Sequence, residues 1–245
     1  MTASSQYKQQ MQDLKCCILI PTFNNEKTLS TVIEDVLNFT SNVIVINDGS
    51  TDSTHNILQR FNFLELIEFP KNRGKGAALR EGFKTSERLG FEYAIAIDSD
   101  GQLFASDIPS FLEFLCNKKT KRPILLIGGR SMNQPSIPGK SKIGNKFSSL
   151  SFWLQTGVRL KDTQCGFRLY PLKLVNHLDL KSTGYDLEIE VIVKAAWAGA
   201  KIENVPVKVL YDKKERVSHF KPWADTFRII NLNFKLAAER LKSKF

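Results

Sequence analysis

No stretch of this 245-residue chain approaches the roughly 18–20 consecutive apolar residues that span a bilayer. Its first residues, Met1 to Lys15, are polar and lack the apolar centre of a secretory signal, which points to a protein kept in the cytosol. Cysteine is scarce. Cys16 and Cys17 are adjacent, Cys116 and Cys165 stand alone, and no disulfide or zinc spacing appears. All four read as small buried hydrophobes in a reducing compartment. His219 has no second His or Cys placed to share a metal. Aromatics interleaved with basic residues on strands are missing, as is a helix-turn-helix, so nucleic acid is not an expected partner. Arg73-Gly74-Lys75-Gly76-Ala77-Ala78 is not a Walker loop, because Lys75 lacks the following Ser or Thr and the glycine spacing. It reads as a helix start packed closely on a sheet, with approach to a phosphate as the alternative.

What is present is a globular composition, 42% apolar and 24% charged, with a formal net charge of +10. Basic surfaces attract nucleic acid, anionic lipid or phosphorylated substrates. Here Lys and Arg gather around Lys118–Arg122, Lys140–Lys146, Lys213–Lys221 and the last turns, rather than in one stripe.

Short apolar runs alternate with helical periodicity. Strands are expected at 14–20, 43–47, 64–69, 92–98 and 124–128, with helices at 29–37, 50–60, 74–89 and 108–117. That alternation means βαβ units and a mainly parallel sheet flanked by helices, an α/β fold in one domain. Open sheets of this kind bind ligands beyond the carboxyl ends of their strands.

One such end is Ala94-Ile95-Ala96-Ile97-Asp98-Ser99-Asp100-Gly101-Gln102. On a strand, Asp98 and Asp100 share a face and repel unless a cation sits between them. A hard divalent ion such as Mg²⁺ or Mn²⁺ fits that need; a polar turn capping a helix near Ser106 is the plain alternative. Asp48, after the second strand, has an acceptor-only carboxylate suited to a base N–H, or to an Asx-turn.

Leu19-Ile20-Pro21-Thr22-Phe23-Asn24-Asn25-Glu26, Val45-Ile46-Asn47-Asp48-Gly49-Ser50-Thr51-Asp52 and Asp98-Ser99-Asp100-Gly101-Gln102 come in this order, each at a strand end. Together they resemble a family-2 glycosyltransferase of the GT-A fold, most similar to dolichyl- and polyprenyl-phosphate mannose or glucose synthases. The likeness runs over roughly residues 14–220. It implies an inverting transfer from a nucleotide diphosphate sugar, GDP- or UDP-hexose, to a lipid phosphate acceptor. By that resemblance Pro21, Phe23, Asn25 and Asp48 line the nucleotide pocket. Asn25 stands where the family usually has glutamate, with Glu26 beside it as a substitute. The resemblance assigns Asp98, Ser99, Asp100 and Gln102 to Mg²⁺ or Mn²⁺ and the donor diphosphate. Arg130 matches a Gly-Ser-Arg position, and with Lys140 becomes a candidate for the acceptor phosphate. Asp162-Thr163-Gln164-Cys165-Gly166-Phe167-Arg168 matches a segment beside donor sugar and acceptor; there Asp162 holds sugar hydroxyls or a basic partner such as Arg168. Arg216, Ser218, His219 and Lys221 are phosphate candidates.

An acceptor phosphate attacks without a strong base, whereas a sugar or lipid hydroxyl needs a carboxylate, with Asp162, Asp186 and Glu188 the first suspects. Acidic residues in the first turn of the helix 184–198 are also favourable for dipole reasons alone. A sugar nucleotidyltransferase or a non-catalytic binding protein are the rival classes. Residues 132–146 read as a basic loop, and Phe147, Leu150, Phe152, Trp153 and Leu154 as the core face of a helix, with a lipid path second. Residues 221–245 read as a basic amphipathic helix beyond a 1–220 domain. Its stripe of Trp223, Phe227, Ile230, Phe234, Ala237 and Leu241 suits packing on the domain or peripheral contact with the cytoplasmic face of a membrane.

Overall fold

The computed structural model describes residues 3–131, 139–210 and 222–242. Arg216, Ser218, His219, Lys221 and the side chain of Lys140 lie outside them. In chain order the elements are α1 (Ala3–Asp13), β1 (Cys16–Thr22), α2 (Leu29–Leu37), β2 (Val43–Asn47), α3 (Thr54–Leu58), β3 (Glu65–Glu68), α4 (Lys75–Arg88) and β4 (Tyr93–Ala96). There follow α5 (Ile108–Cys116), β5 (Ile124–Arg130), α6 (Gly139–Thr156), β6 (Arg168–Pro171), α7 (Leu172–Val175), α8 (Leu187–Trp197), β7 (Lys201–Val207) and α9 (Pro222–Lys242).

The strands form one sheet in the order β3-β2-β1-β4-β6-β5-β7. All its pairings are parallel except those of β6, which runs antiparallel to both β4 and β5. Every residue of β1 and β2 is buried, as expected for central strands covered by helices on both faces. The edge strand β3 carries glutamates at both ends, which discourages pairing with another chain. Strand order reverses between β1 and β4, so the ends of β1, β2 and β4 lie together at the crevice where such sheets bind ligands.

Several expectations are corrected. β4 ends at Ala96, so Asp98 and Asp100 sit on a turn rather than on alternate positions of a strand. Helix α6 begins at Gly139, not Phe147, because side chains of its early turns are anchored. Asn145 donates to Lys161 O and accepts from Thr163 N–H, and Thr163 Oγ1 bonds Ser148. Such tertiary bonds override the weak helix propensity of the Gly- and Ser-rich start. Of its expected core face only Phe152 is buried; Phe147, Leu150, Trp153 and Leu154 are exposed. Cys116 is exposed, while Cys16, Cys17 and Cys165 are buried. No helix of the described residues is long and apolar enough to cross a membrane.

Candidate active site

Two of the three strand-end motifs, those after β1 and β4, are tied together by one hydroxyl. Asn25 Nδ2 donates to Ser99 Oγ at 2.7 Å, and Ser99 Oγ donates to the carbonyl of Pro21 at 3.1 Å. Thr28 Oγ1 donates to the carbonyl of Ser99 at 2.6 Å. Ser99 is thus the joint between the β1 and β4 ends, buried and facing protein rather than open space. Asn25 Oδ1 is buried without a hydrogen-bond partner among the described residues, an acceptor left over at the place where the resemblance puts the nucleotide. Pro21 is buried and Phe23 half-buried beside it. The neighbouring Glu26 is turned elsewhere: its carboxylate accepts the Ser53 N–H ahead of α3.

Asp48 is buried, and its carboxylate accepts the N–H groups of Arg73 at 2.7 Å and Gly74 at 2.8 Å. Burial raises its pKa, partly opposed by those two N–H groups and the Arg73 charge. Asp48 therefore fixes the turn that leads into α4.

That turn delivers Lys75. Its ammonium lies 2.6 Å from Asp98 Oδ1 and 3.2 Å from Glu188 Oε1, and over the ring of Tyr185. Burial alone would lower the lysine pKa; the two carboxylates outweigh it and raise it, so the cation is permanent. Burial also pushes the Tyr185 phenol up to about 12, against the pull of Lys75. On its other side Asp98 abuts Gly166, where a Cβ would overlap Asp98 Oδ2. Only glycine allows the carboxylate that close.

The segment at 162–168 is organised by two arginines with different partners. Asp162, wholly buried, accepts from Arg130 Nε at 2.6 Å, Arg130 Nη2 at 3.0 Å and the Arg130 N–H at 3.2 Å, and from Gln164 N–H at 2.9 Å. Its basic partner is Arg130, not Arg168. Arg168 is fully buried and donates to the carbonyls of Cys165, Glu188 and Thr163, with Glu188 Oε1 at 3.9 Å. Asp186 accepts the Gly184 N–H at 3.0 Å. The structure thus brings Asp98, Lys75, Gly166 and Glu188 into one cluster. The Arg130–Asp162 pair joins it through the short 162–168 segment.

The turn after Ser99 can receive a divalent ion. Gly101 has φ 73°, and the Gln102 N–H bonds Asp100 Oδ1 at 3.0 Å, closing an Asx-type turn. Asp100 and Gln102 are half-buried within it. Among the described residues no three Asp, Glu, His or Cys side chains cluster as a metal group. The oxygens here are a partial set, the kind Mg²⁺ takes alongside substrate phosphates. Lys75 is the residue whose role sequence reasoning placed too low; its signal was a buried-type helix start carrying one lysine between two glycines, Gly74 and Gly76.

Comparison with known proteins follows the same outline. Residues 17–178 match the family model described as glycosyl transferase family 2. A dolichyl-phosphate beta-glucosyltransferase of Saccharomyces cerevisiae is 26% identical, over 81% of this chain and 68% of its own length. A UDP-N-acetylglucosamine–dolichyl-phosphate N-acetylglucosaminyltransferase of Methanococcus voltae is also 26% identical, over 82% of this chain and 88% of its own. Among solved structures, glucosyl-3-phosphoglycerate synthase from Mycobacterium tuberculosis, in complex with Mn²⁺, UDP and phosphoglyceric acid, superposes with a TM-score of 0.70. It shares 15% identity over 97% of this chain and 82% of its own, a likeness of fold. With its mainly parallel sheet, flanking helices and strand-end motifs, the chain belongs to glycosyl transferase family 2 and has the GT-A fold.

Proposed function

We propose that this enzyme moves a hexose from UDP- or GDP-hexose to a polyprenyl, dolichyl-type phosphate, inverting the anomeric centre, at the cytoplasmic face of a membrane. The observation that carries the choice of acceptor is that the two most buried carboxylates a hydroxyl acceptor would use as base, Asp162 and Glu188, are held in ion pairs. Asp162 is closed off by Arg130 and Gln164, Glu188 is paired with Lys75, and Asp186 holds the Gly184 N–H. A phosphate acceptor needs no base, because its oxygen is already anionic. That oxygen forms the new bond to the sugar C1 as the bond from C1 to the donor diphosphate breaks. The diphosphate departs with the electron pair. The dolichyl-phosphate transferases among the relatives support the same reading.

The chain's own groups divide the work. Asn25 and Phe23, at the end of β1, bind the base, and Asp48 holds the turn that places Lys75. Lys75 fixes Asp98 behind the Asp100–Gln102 turn. Asp100 and Gln102 would hold Mg²⁺ or Mn²⁺, which supplies positive charge where the leaving diphosphate gains negative charge. Arg130, with Arg216 and Lys221 from outside the described residues, grips the acceptor phosphate.

The test is to offer UDP-glucose and GDP-mannose, with Mn²⁺, to a short polyprenyl phosphate and to the matching polyprenol, and to weigh the products by mass spectrometry. A hexosyl polyprenyl phosphate is expected. Transfer to the alcohol, with the phosphate inert, overturns the proposal.

A further inference from the structure

Helices α6 and α9 each carry one buried stripe and one exposed apolar stripe. On α9, Asp225, Leu232 and Leu236 are buried and Ile229 packs against the core. Trp223, Phe227, Ile230 and Phe234 follow the same spacing two residues earlier and are exposed, from 38% at Ile230 to 92% at Trp223. On α6, Asn145, Ser148 and Phe152 point inward. Ile143, Phe147, Leu150 and Leu154 again lie two residues away and are 52–71% exposed. Two residues turn about 200° around a helix, so each outward stripe is opposite its buried one.

The two outward stripes also face the same way. The first half of α6 is tied to the start of α8 through the 163–168 segment, because Asn145 holds Thr163 and Arg168 links the carbonyls of Thr163 and Glu188. The ends meet too, where Trp197 Nε1 donates to the carbonyl of Gln155. Arg228 of α9 lies against Gly184 just before α8, and Arg240 lies over Trp197 at its end. All three helices therefore run in one direction. Ser151 and Gln155 of α6 both donate to Asn233 Oδ1 of α9, so the pair is joined side by side through polar groups. With parallel axes and that shared edge, both buried stripes turn toward the body and both exposed stripes turn outward.

We propose that these two stripes form one face that lies on an anionic lipid bilayer. This deepens, and rests on, the reading of a lipid acceptor. An aromatic side chain carries about 150–250 Å². Four that are 61–92% exposed, with four aliphatic neighbours, make a patch of the several hundred Å² that marks an interaction surface. Charge selects the occupant. Helix α6 has three lysines and no acidic residue, and at about 100° per residue Lys140 and Lys146 fall on either side of its exposed stripe. A second copy across a two-fold axis would set these cations against each other, whereas anionic headgroups neutralise them. The highly exposed Trp223, near the start of α9, suits the headgroup boundary. Both helices begin at the end of the layer that holds Glu188 and the 162–168 segment, so a lipid phosphate at the bilayer surface lies near the site.

The test is co-sedimentation of the full chain with vesicles of phosphatidylcholine, with and without phosphatidylserine, lacking nucleotide and acceptor. Binding is expected to phosphatidylserine vesicles and to weaken in high salt. In the double variant Phe147→Ser, Phe234→Ser it should fall at least tenfold, with an unchanged melting curve. Equal binding by the variant, or no binding by the unaltered chain, overturns the proposal. So does a vesicle-free dimer in sedimentation velocity that the same variant abolishes, since that gives the face to a second copy. The acceptor reading is scored separately, by transfer to a short polyprenyl phosphate in detergent; vesicle binding without that transfer defeats the acceptor and leaves the surface standing.

Discussion

Replacing Lys75 with methionine removes the only cation among the described residues that contacts both Asp98 and Glu188, while keeping most of the side-chain volume. Glu188 retains a distant contact to Arg168 at 3.9 Å, but Asp98 is left facing it across a site from which most water is excluded. Removing one partner of a buried pair costs about 3–5 kcal/mol. Asp98 is 27% exposed, so water screens part of the loss, and the low end of that range, about 3 kcal/mol, is the expected cost. In a chain of this size that lowers the melting temperature by roughly 6–12 °C. Adding Glu188→Gln to Lys75→Met should recover part of it, because one of two like charges is gone; the two changes are then strongly non-additive. Urea titration of the single and double variants reads this directly. If Lys75→Met melts within about 0.5 kcal/mol of the unaltered chain, the range for an uninvolved surface change, the ammonium is not what holds these carboxylates together.

Asp100→Asn should cut turnover by about 10²–10³-fold while leaving the urea midpoint in place, and a retained rate measured by nucleotide release removes Asp100 from the chemistry. Gly166→Ala forces the Asp98 carboxylate off its position, and the expected result in a donor-saturation assay is at least a tenfold loss in kcat with a smaller change in stability. Glu190 accepts the N–H groups of Lys181 and Ser182 and pairs with Lys194 at 2.8 Å; burial pulls its pKa up, and these donors outweigh it and hold it low. Its contribution is therefore present above the ordinary carboxylate range and lost as pH falls through the lowered value. Glu190→Gln should cost about 2–3 kcal/mol near neutral pH and flatten the acid limb of the stability profile, read from urea midpoints across pH.

The sheet was legible because each buried strand ends in residues that cannot continue it: Ile46-Asn47-Asp48-Gly49 and Ile97-Asp98-Ser99-Asp100 change from apolar to turn-forming within two positions. Those same positions carry the site, so its outline was legible with the fold. The antiparallel β6 and the strand β7 were not named. Arg168-Leu169-Tyr170-Pro171 is only four residues long, and β7 contains Pro206, both weak strand signals. Partner choice within the site was also hidden. Asp162 has Arg130 and Arg168 as possible partners, 32 residues before it and six after. Nearness in sequence favours Arg168, but its guanidinium meets three carbonyls at the head of β6, which leaves Asp162 to Arg130.

The helices α6 and α9 show the deeper limit. Periodicity finds a stripe, yet a helix offers several, and the more apolar one is taken as the core by default. On α9 that default chooses Trp223, Phe227, Ile230 and Phe234 over a stripe that contains Asp225. The structure buries the stripe with the aspartate and leaves the aromatic one outside. What reverses the choice is a set of polar anchors on other elements, namely Thr163 for Asn145 and Ser148, and Asn233 for Ser151 and Gln155. Each lies many residues from its partner, so no local window contains both. A chain that spends its most apolar stripes on the outside of two adjacent helices is under a demand that folding alone does not impose. A surface contact with lipid is the demand that also accounts for the lysines beside the stripe of α6.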